Sequence, residues 1–173
     1  VGVFDQEALK KLYDIKERDE SKSVNWLVRD IEDIKQYAEV GDKAAKIAEQ
    51  FLPGPLTLVL SLKKSILVKY PFCNKTVGFR ISPDPVAQKV TRDFMGTCGM
   101  PLTSTSANIS GLPTQKTVPE ILKQFGDNKI MIDTVIDDGE RKGLPSTVIE
   151  VKEERLILHR EGQILIGDIQ NET

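Results

Sequence analysis

Lysine and arginine flank a single residue at Lys16-Glu17-Arg18. Arginine offers a planar fork of donors and lysine a compact point charge, so the triplet could grip phosphates. At the end of a helix the same cations could instead offset the negative C-terminus, an effect of about 0.3–1 kcal/mol. A second cluster lies in Pro101–Gly111, PLTSTSANISG, which carries Ser104, Ser106 and Asn108. Small hydroxyls and turned backbone amides after a strand suit the phosphate or sugar of a mononucleotide, and suit a plain polar turn as well. A third is Gly143-Leu144-Pro145-Ser146-Thr147. There Ser146 and Thr147 either open a strand or present hydroxyls to a ligand.

Other chemistries find less support. The chain has one histidine, His159, so a metal centre held by several histidines is excluded by count. His159 sits on an alternating stretch without an adjacent acid or cysteine, which reads as a surface or structural position. Asp137-Asp138 precedes Gly139 and reads first as a turn. Cys73 and Cys98 match neither zinc spacing nor a small disulfide framework, and read as reduced, partly buried thiols. No Walker lysine loop and no G-x-G-x-x-G is present.

The elements that position these residues follow from periodicity. Asp5 reads as the cap of a helix carrying Ala8, Leu9, Leu12, Tyr13 and Ile15, which runs out near Lys16–Arg18. Val24–Val28 reads as a short strand, Asp30 as the cap of a second helix and Asp42 as the cap of a third, stopped by Pro53-Gly54-Pro55. Leu56–Leu62 and Thr76–Ile81 read as strands joined by a basic link from Lys63. A fourth helix starts at Pro85 with Val86, Val90 and Phe94 inward, and Leu102–Thr105 is a strand. Thr117 and Glu120 have capping-box spacing, Ile130–Ile136 alternates, and Ser146–Val151 with Leu156–His159 forms a hairpin about Lys152-Glu153-Glu154-Arg155. Helices interleaved with strands and ending in a hairpin predict a single α/β domain over 1–173, with a twisted mixed parallel and antiparallel sheet flanked by helices.

The 173 residues suit one domain, and 39% hydrophobic with 29% charged residues suit a soluble globular chain. A net charge of −2 excludes a strong overall positive field, though not a local basic patch. No apolar run is long enough to span a bilayer and no signal peptide opens the chain, so a cytoplasmic location is expected.

Read in order, six blocks resemble those of the YrdC-like family. They are the Lys16-Glu17-Arg18 triplet, Pro53–Leu60, Val77-Gly78-Phe79-Arg80, Ser104–Gly111, Pro145–Ile149 and Leu158–Gly162. The likeness runs roughly from Gln6 to Gly162. It implies the YrdC/RibB-like fold with a positively charged nucleotide cleft. It also implies synthesis of threonylcarbamoyl-adenylate and pyrophosphate from L-threonine, bicarbonate and ATP. The implied setting is tRNA modification, with magnesium riding on the phosphates and a transferase complex downstream. Lys16, Arg18, Ser106 and Asn108 match the family's KxR/SxN tetrad; Ser104, Arg80, Ser146, Thr147 and Arg160 match further cleft positions.

This chain departs from the pattern at Asp19 and Ser23, where prolines are common, and at Ser82-Pro83-Asp84-Pro85. The family's Thr-x-Tyr-Gly segment, part of its threonine pocket, is not found ahead of the first helix, and the chain reads as beginning just after it. The alternative within the same fold is a non-catalytic RNA- or nucleotide-binding paralogue.

Overall fold

The computed structural model describes residues 1–153 and 155–171. Asp5 accepts a hydrogen bond from the Ala8 amide and opens α1 (Gln6–Lys16); Asp30 does the same for the Asp33 amide at α2 (Ile31–Tyr37). α3 (Asp42–Phe51) is capped by Gly41, with Asp42 as its first residue. α5 (Pro85–Cys98) starts on Asp84 and proline and stops on left-handed Gly99. The Thr117–Glu120 capping box opens α6 (Val118–Phe125), which runs into a 3₁₀ turn at Gly126–Met131.

Six strands, β1 (Asn25–Leu27), β2 (Leu56–Ser61), β3 (Thr76–Arg80), β4 (Leu102–Ser104), β5 (Thr147–Lys152) and β6 (Arg155–Arg160), form one sheet in the order β4-β1-β3-β2-β5-β6. β1 with β3 and β2 with β5 are parallel, and the other neighbours are antiparallel. The expected mixed sheet is therefore present, in an order that needs crossovers.

Register sorts the side chains, because successive residues of a strand point to opposite faces. Trp26 pairs with Phe79, Phe79 with Leu58 and Leu58 with Ile149, so these four share one face. That face is covered by Ile34 and Tyr37 of α2, Ala44, Ile47 and Ala48 of α3, and Ile169 of α7 (Ile166–Asn171). Each large side chain sealed there contributes roughly 1.5–3 kcal/mol. Trp26 adds edge contacts to Phe4, Tyr37 and Phe79 at 5.2, 5.7 and 5.6 Å. The opposite face is left to Ser104, Asn25, Gly78, Arg80, Thr57 and Arg160.

Several expectations change. The basic link after Lys63 contains α4 (Lys64–Lys69), whose Ile66 and Leu67 pack on the core; tertiary contact makes a helix where local pattern is weak. On α5 the buried positions are Thr91 and Met95, while Val90 is 36% exposed. The Thr91 hydroxyl donates to the Ala87 carbonyl at 2.7 Å, which lets a polar residue turn inward. Ile130–Ile136 forms no strand: the sheet ends at β4 and β6, neither pairs with this segment, and Ile130 is largely exposed. Cys73 is half-buried, with its thiol pushed up to about 11 by desolvation, whereas Cys98 is exposed. Glu154, in the expected turn of the last hairpin, lies outside the described residues.

Candidate functional site

The end of α1 is where the first cluster is made. The Arg18 amide reaches back to the Tyr13 carbonyl and the Glu17 amide to that of Asp14, with Glu17 at φ 48°. This paired closure ends the helix abruptly and turns the chain. Lys16 thereby points inward. It is only 3% exposed, and its Nζ donates to the carbonyls of Ser106 at 2.5 Å and Asn108 at 2.7 Å. The Ser110 amide closes the contact by donating to the Lys16 carbonyl at 2.7 Å.

The loop after β4 is fastened from its other side too. Asn108, 8% exposed, donates from Nδ2 to the carbonyls of Ile109 and Leu112, and its Oδ1 accepts from the Ser106 hydroxyl at 2.5 Å. Gln124 of α6 accepts from the Ile109 amide at 3.0 Å and donates to the Pro113 carbonyl at 2.9 Å. Desolvation first, and the Arg18 charge second, pull the Lys16 amine down to about 8. An ammonium has three N–H groups and two are committed, so one remains. Arg18 donates to the carbonyls of Lys22 and Ser23 at 3.3 and 2.9 Å, leaving further guanidinium donors free while it braces the turn into β1.

The remaining predicted residues lie across the open face of the sheet. Arg80 reaches Ser104 Oγ with Nη1 at 3.4 Å, while its Nε is buried without a partner. Burial, and then the neighbouring Arg160 charge, pull Arg80 below the usual arginine range, though a guanidinium stays protonated. Arg160 donates from Nε and Nη2 to the Ser146 carbonyl at 3.1 and 2.9 Å, and Ser146 Oγ lies 2.8 Å from Thr57 Oγ1. Two guanidiniums thus share one polar strip.

Thr147 is placed differently. It is fully buried; its hydroxyl donates to the Ile164 carbonyl at 2.6 Å and accepts from the Gly162 and Ile164 amides. It fastens the chain after β6 to the start of β5 and faces no cleft. Thr57 was not anticipated as part of the strip. Its signal was legible, since it is the polar residue between Leu56 and Leu58 and must face away from the core.

His159 Nε2 meets Glu150 Oε2 at 2.8 Å on the exposed hairpin, and Asp137 caps the Gly139 amide in a turn. An apolar groove of about 410 Å³ opens beside the strip, walled by Leu27, Leu102, Val86, Val90 and Ile121. A cavity of about 660 Å³ lies beyond the ends of β1 and β3, among Arg29, Pro53, Ser82 and Arg92, and none of the predicted site residues lines it. Among the described residues, no cluster of three or more His, Cys, Asp or Glu could hold a metal ion, and no helix is long and apolar enough to cross a membrane.

Comparison with known proteins identifies the family and the fold. Residues 1–162 match the Sua5/YciO/YrdC family model, described as "Telomere recombination". A candidate threonylcarbamoyl-AMP synthase of Methanocaldococcus jannaschii is 39% identical over 168 residues, covering 95% of this chain and 74% of that protein. Pyrococcus abyssi Sua5 solved with L-threonine superposes with a TM-score of 0.83 at 28% identity, covering 99% of this chain and 49% of that one. The chain thus spans about half the length of that relative. Escherichia coli YciO shares the fold, with a TM-score of 0.72 at 22% identity over 95% of this chain and 78% of its own. On the family match and the jannaschii likeness together, the chain belongs to the Sua5/YciO/YrdC family.

Proposed function

We propose that this protein is a threonylcarbamoyl-AMP synthase that joins L-threonine, bicarbonate and ATP, releases pyrophosphate and supplies tRNA modification. The observation that carries the reading is the meeting of Lys16 with the Ser106–Asn108 loop, beside a strip holding Arg80 and Arg160. Relatives named for this synthase, and a relative solved with L-threonine, support it.

The chemistry asks for what these residues offer. The threonine amine adds to bicarbonate, and loss of water leaves a carbamate. A carbamate oxygen then attacks the α-phosphorus, the bond from that phosphorus to the bridging oxygen breaks, and pyrophosphate leaves. Charge grows on phosphate oxygens, so fixed cations and donors are the main catalytic device. The free N–H of Lys16 and the spare guanidinium donors of Arg18 supply charge at one end. Ser106 and Asn108 supply orientation there, and Arg80 and Arg160, with Ser104 and Ser146, hold anionic oxygens along the sheet. Thr147 touches no substrate and serves the fold, fastening the chain after β6 to the start of β5. The apolar groove gives a nucleobase a wall.

Magnesium fits as a companion of the phosphates: the oxygens beside Lys16 are neutral Ser and Asn groups, which call for no carboxylate cage. Its chemistry is to neutralise phosphate charge. A cytoplasmic setting and a downstream threonylcarbamoyl transferase acting on tRNA complete the proposal.

The test is pyrophosphate release from ATP by the full-length protein. Release that requires both threonine and bicarbonate is expected. Threonine-independent release, or binding of ATP without release, would sink the synthase reading and favour a nucleotide-binding role.

A further inference from the structure

Asn25 opens β1 on the polar face, directly opposite Ser104 of β4. On its other side is Gly78 of β3. A Cβ built on Gly78 would lie 2.3 Å from Asn25 Oδ1 and 2.8 Å from Thr57 Cγ2, closer than real contacts allow. The backbone at Gly78 is not left-handed, so conformation does not demand glycine there. Space does: the Asn25 carboxamide occupies the room that any side chain at position 78 would need.

That carboxamide is half-buried, and among the described residues no hydrogen bond engages it. A buried polar group without a partner is costly and calls for an explanation. Asn25 is not itself sealed from water, but the neighbouring strand carries one such group, the buried and unpartnered Nε of Arg80. Arg80 pairs across with Leu27, two residues along β1 from Asn25, and its Nη1 points at Ser104 Oγ. Three donors on three adjacent strands, Asn25 Nδ2, Arg80 Nε and Ser104 Oγ, therefore border one patch of open sheet. One of them is a permanent cation, so the group that satisfies all three is an oxyanion.

We propose that Asn25 is a specificity-determining residue, donating from its carboxamide to the substrate oxyanion that Arg80 holds, and that Gly78 is glycine to seat it. The inference rests on the synthase reading above, which supplies two sources of that oxyanion: the carboxylate of threonine and a phosphate of ATP.

Calorimetric titration of the full-length protein with L-threonine and, separately, with ATP tests this, using wild type, Asn25→Ala and Asn25→Asp. One ligand should bind about tenfold more weakly to Asn25→Ala, as expected for losing a hydrogen bond to a charged group. It should bind more weakly still to Asn25→Asp, whose carboxylate repels the oxyanion and pairs with Arg80. Tm should stay within about one degree, because the group makes no internal bond. Loss confined to L-threonine identifies the carboxylate; loss confined to ATP identifies the phosphate. Unchanged binding of both ligands overturns the inference and leaves the synthase reading standing. Weaker binding of both, or a clear fall in Tm, marks a structural role and also overturns it. Binding of neither ligand by wild type removes both readings.

Discussion

The two halves of the cleft are built on opposite plans. At the end of α1, Lys16 is buried and its charge is spent on the chain itself, binding the carbonyls of Ser106 and Asn108. On the sheet, Arg80 holds Ser104 at 3.4 Å only and keeps a buried donor idle. One half is satisfied within the chain; the other keeps a donor unmet, which under the synthase reading a ligand would engage. A cation serving architecture and chemistry together should cost both when removed, whereas one with idle donors should cost binding alone.

The largest effect is therefore expected at Lys16. Lys16→Ala should lower kcat/KM on the order of a thousandfold, as loss of a major electrostatic contact does. It should also destabilise by about 1–3 kcal/mol, because two carbonyls lose their shared donor. Lys16→Met keeps the packed stem, so activity should fall as far while part of the stability returns. Arg80→Ala should weaken ligand binding by roughly ten- to a hundredfold and leave denaturant midpoints almost unchanged. Pyrophosphate assays beside urea titrations read both quantities. Equal stability losses at the two positions would break the contrast.

Thr147 supplies the next largest effect and a sharper distinction. Its buried hydroxyl makes three hydrogen bonds, so Thr147→Val, nearly equal in shape, should destabilise by about 2–3 kcal/mol while KM values stay put. A raised KM without loss of stability would return Thr147 to the cleft.

That residue also marks how far sequence carries. Lys16, Arg18, Ser106 and Asn108 are legible as a set because family resemblance joins two short segments. Caps at Asp5, Asp30 and Thr117 are legible because their physics is local. Alternation alone would have put Thr147 on the face of Ile149 and Val151, away from its neighbour Ser146. Nothing local reveals that Lys16 turns onto carbonyls some 90 positions ahead, or that Gly78 yields its space to Asn25. The alternation of Ile130–Ile136 misleads because a strand needs a partner edge as well as a pattern.

A smaller effect is expected from pH. Burial depresses the Lys16 amine to about 8 from an ordinary 10.5. Between those values the unfolded chain holds a proton that the folded chain has released, so this group's contribution to stability rises with pH across that window. Activity should move the other way. kcat/KM for ATP should decline above about pH 8, because it reports the free enzyme. Bound phosphate restores the charged amine, so the limb in kcat should sit higher. Coincident limbs would mean that Lys16 is not the group facing phosphate.

The smallest change tests how the satisfied half is made. Glu17 holds φ at 48°, a left-handed conformation that a side chain adopts at a cost and glycine adopts freely. Its carboxylate accepts from Asn128 at 3.2 Å, an exposed contact of little worth. Glu17→Gly should therefore stabilise the folded state by at most about 1 kcal/mol, with activity unchanged. A thermal melt and a rate measurement suffice. If activity fell while Tm rose, the direction Lys16 takes would depend on the Glu17 side chain itself. If neither moved, loss of the Asn128 contact and added freedom in the unfolded chain would match the relief, and the backbone closure at Tyr13 and Asp14 would be what aims Lys16 at the loop.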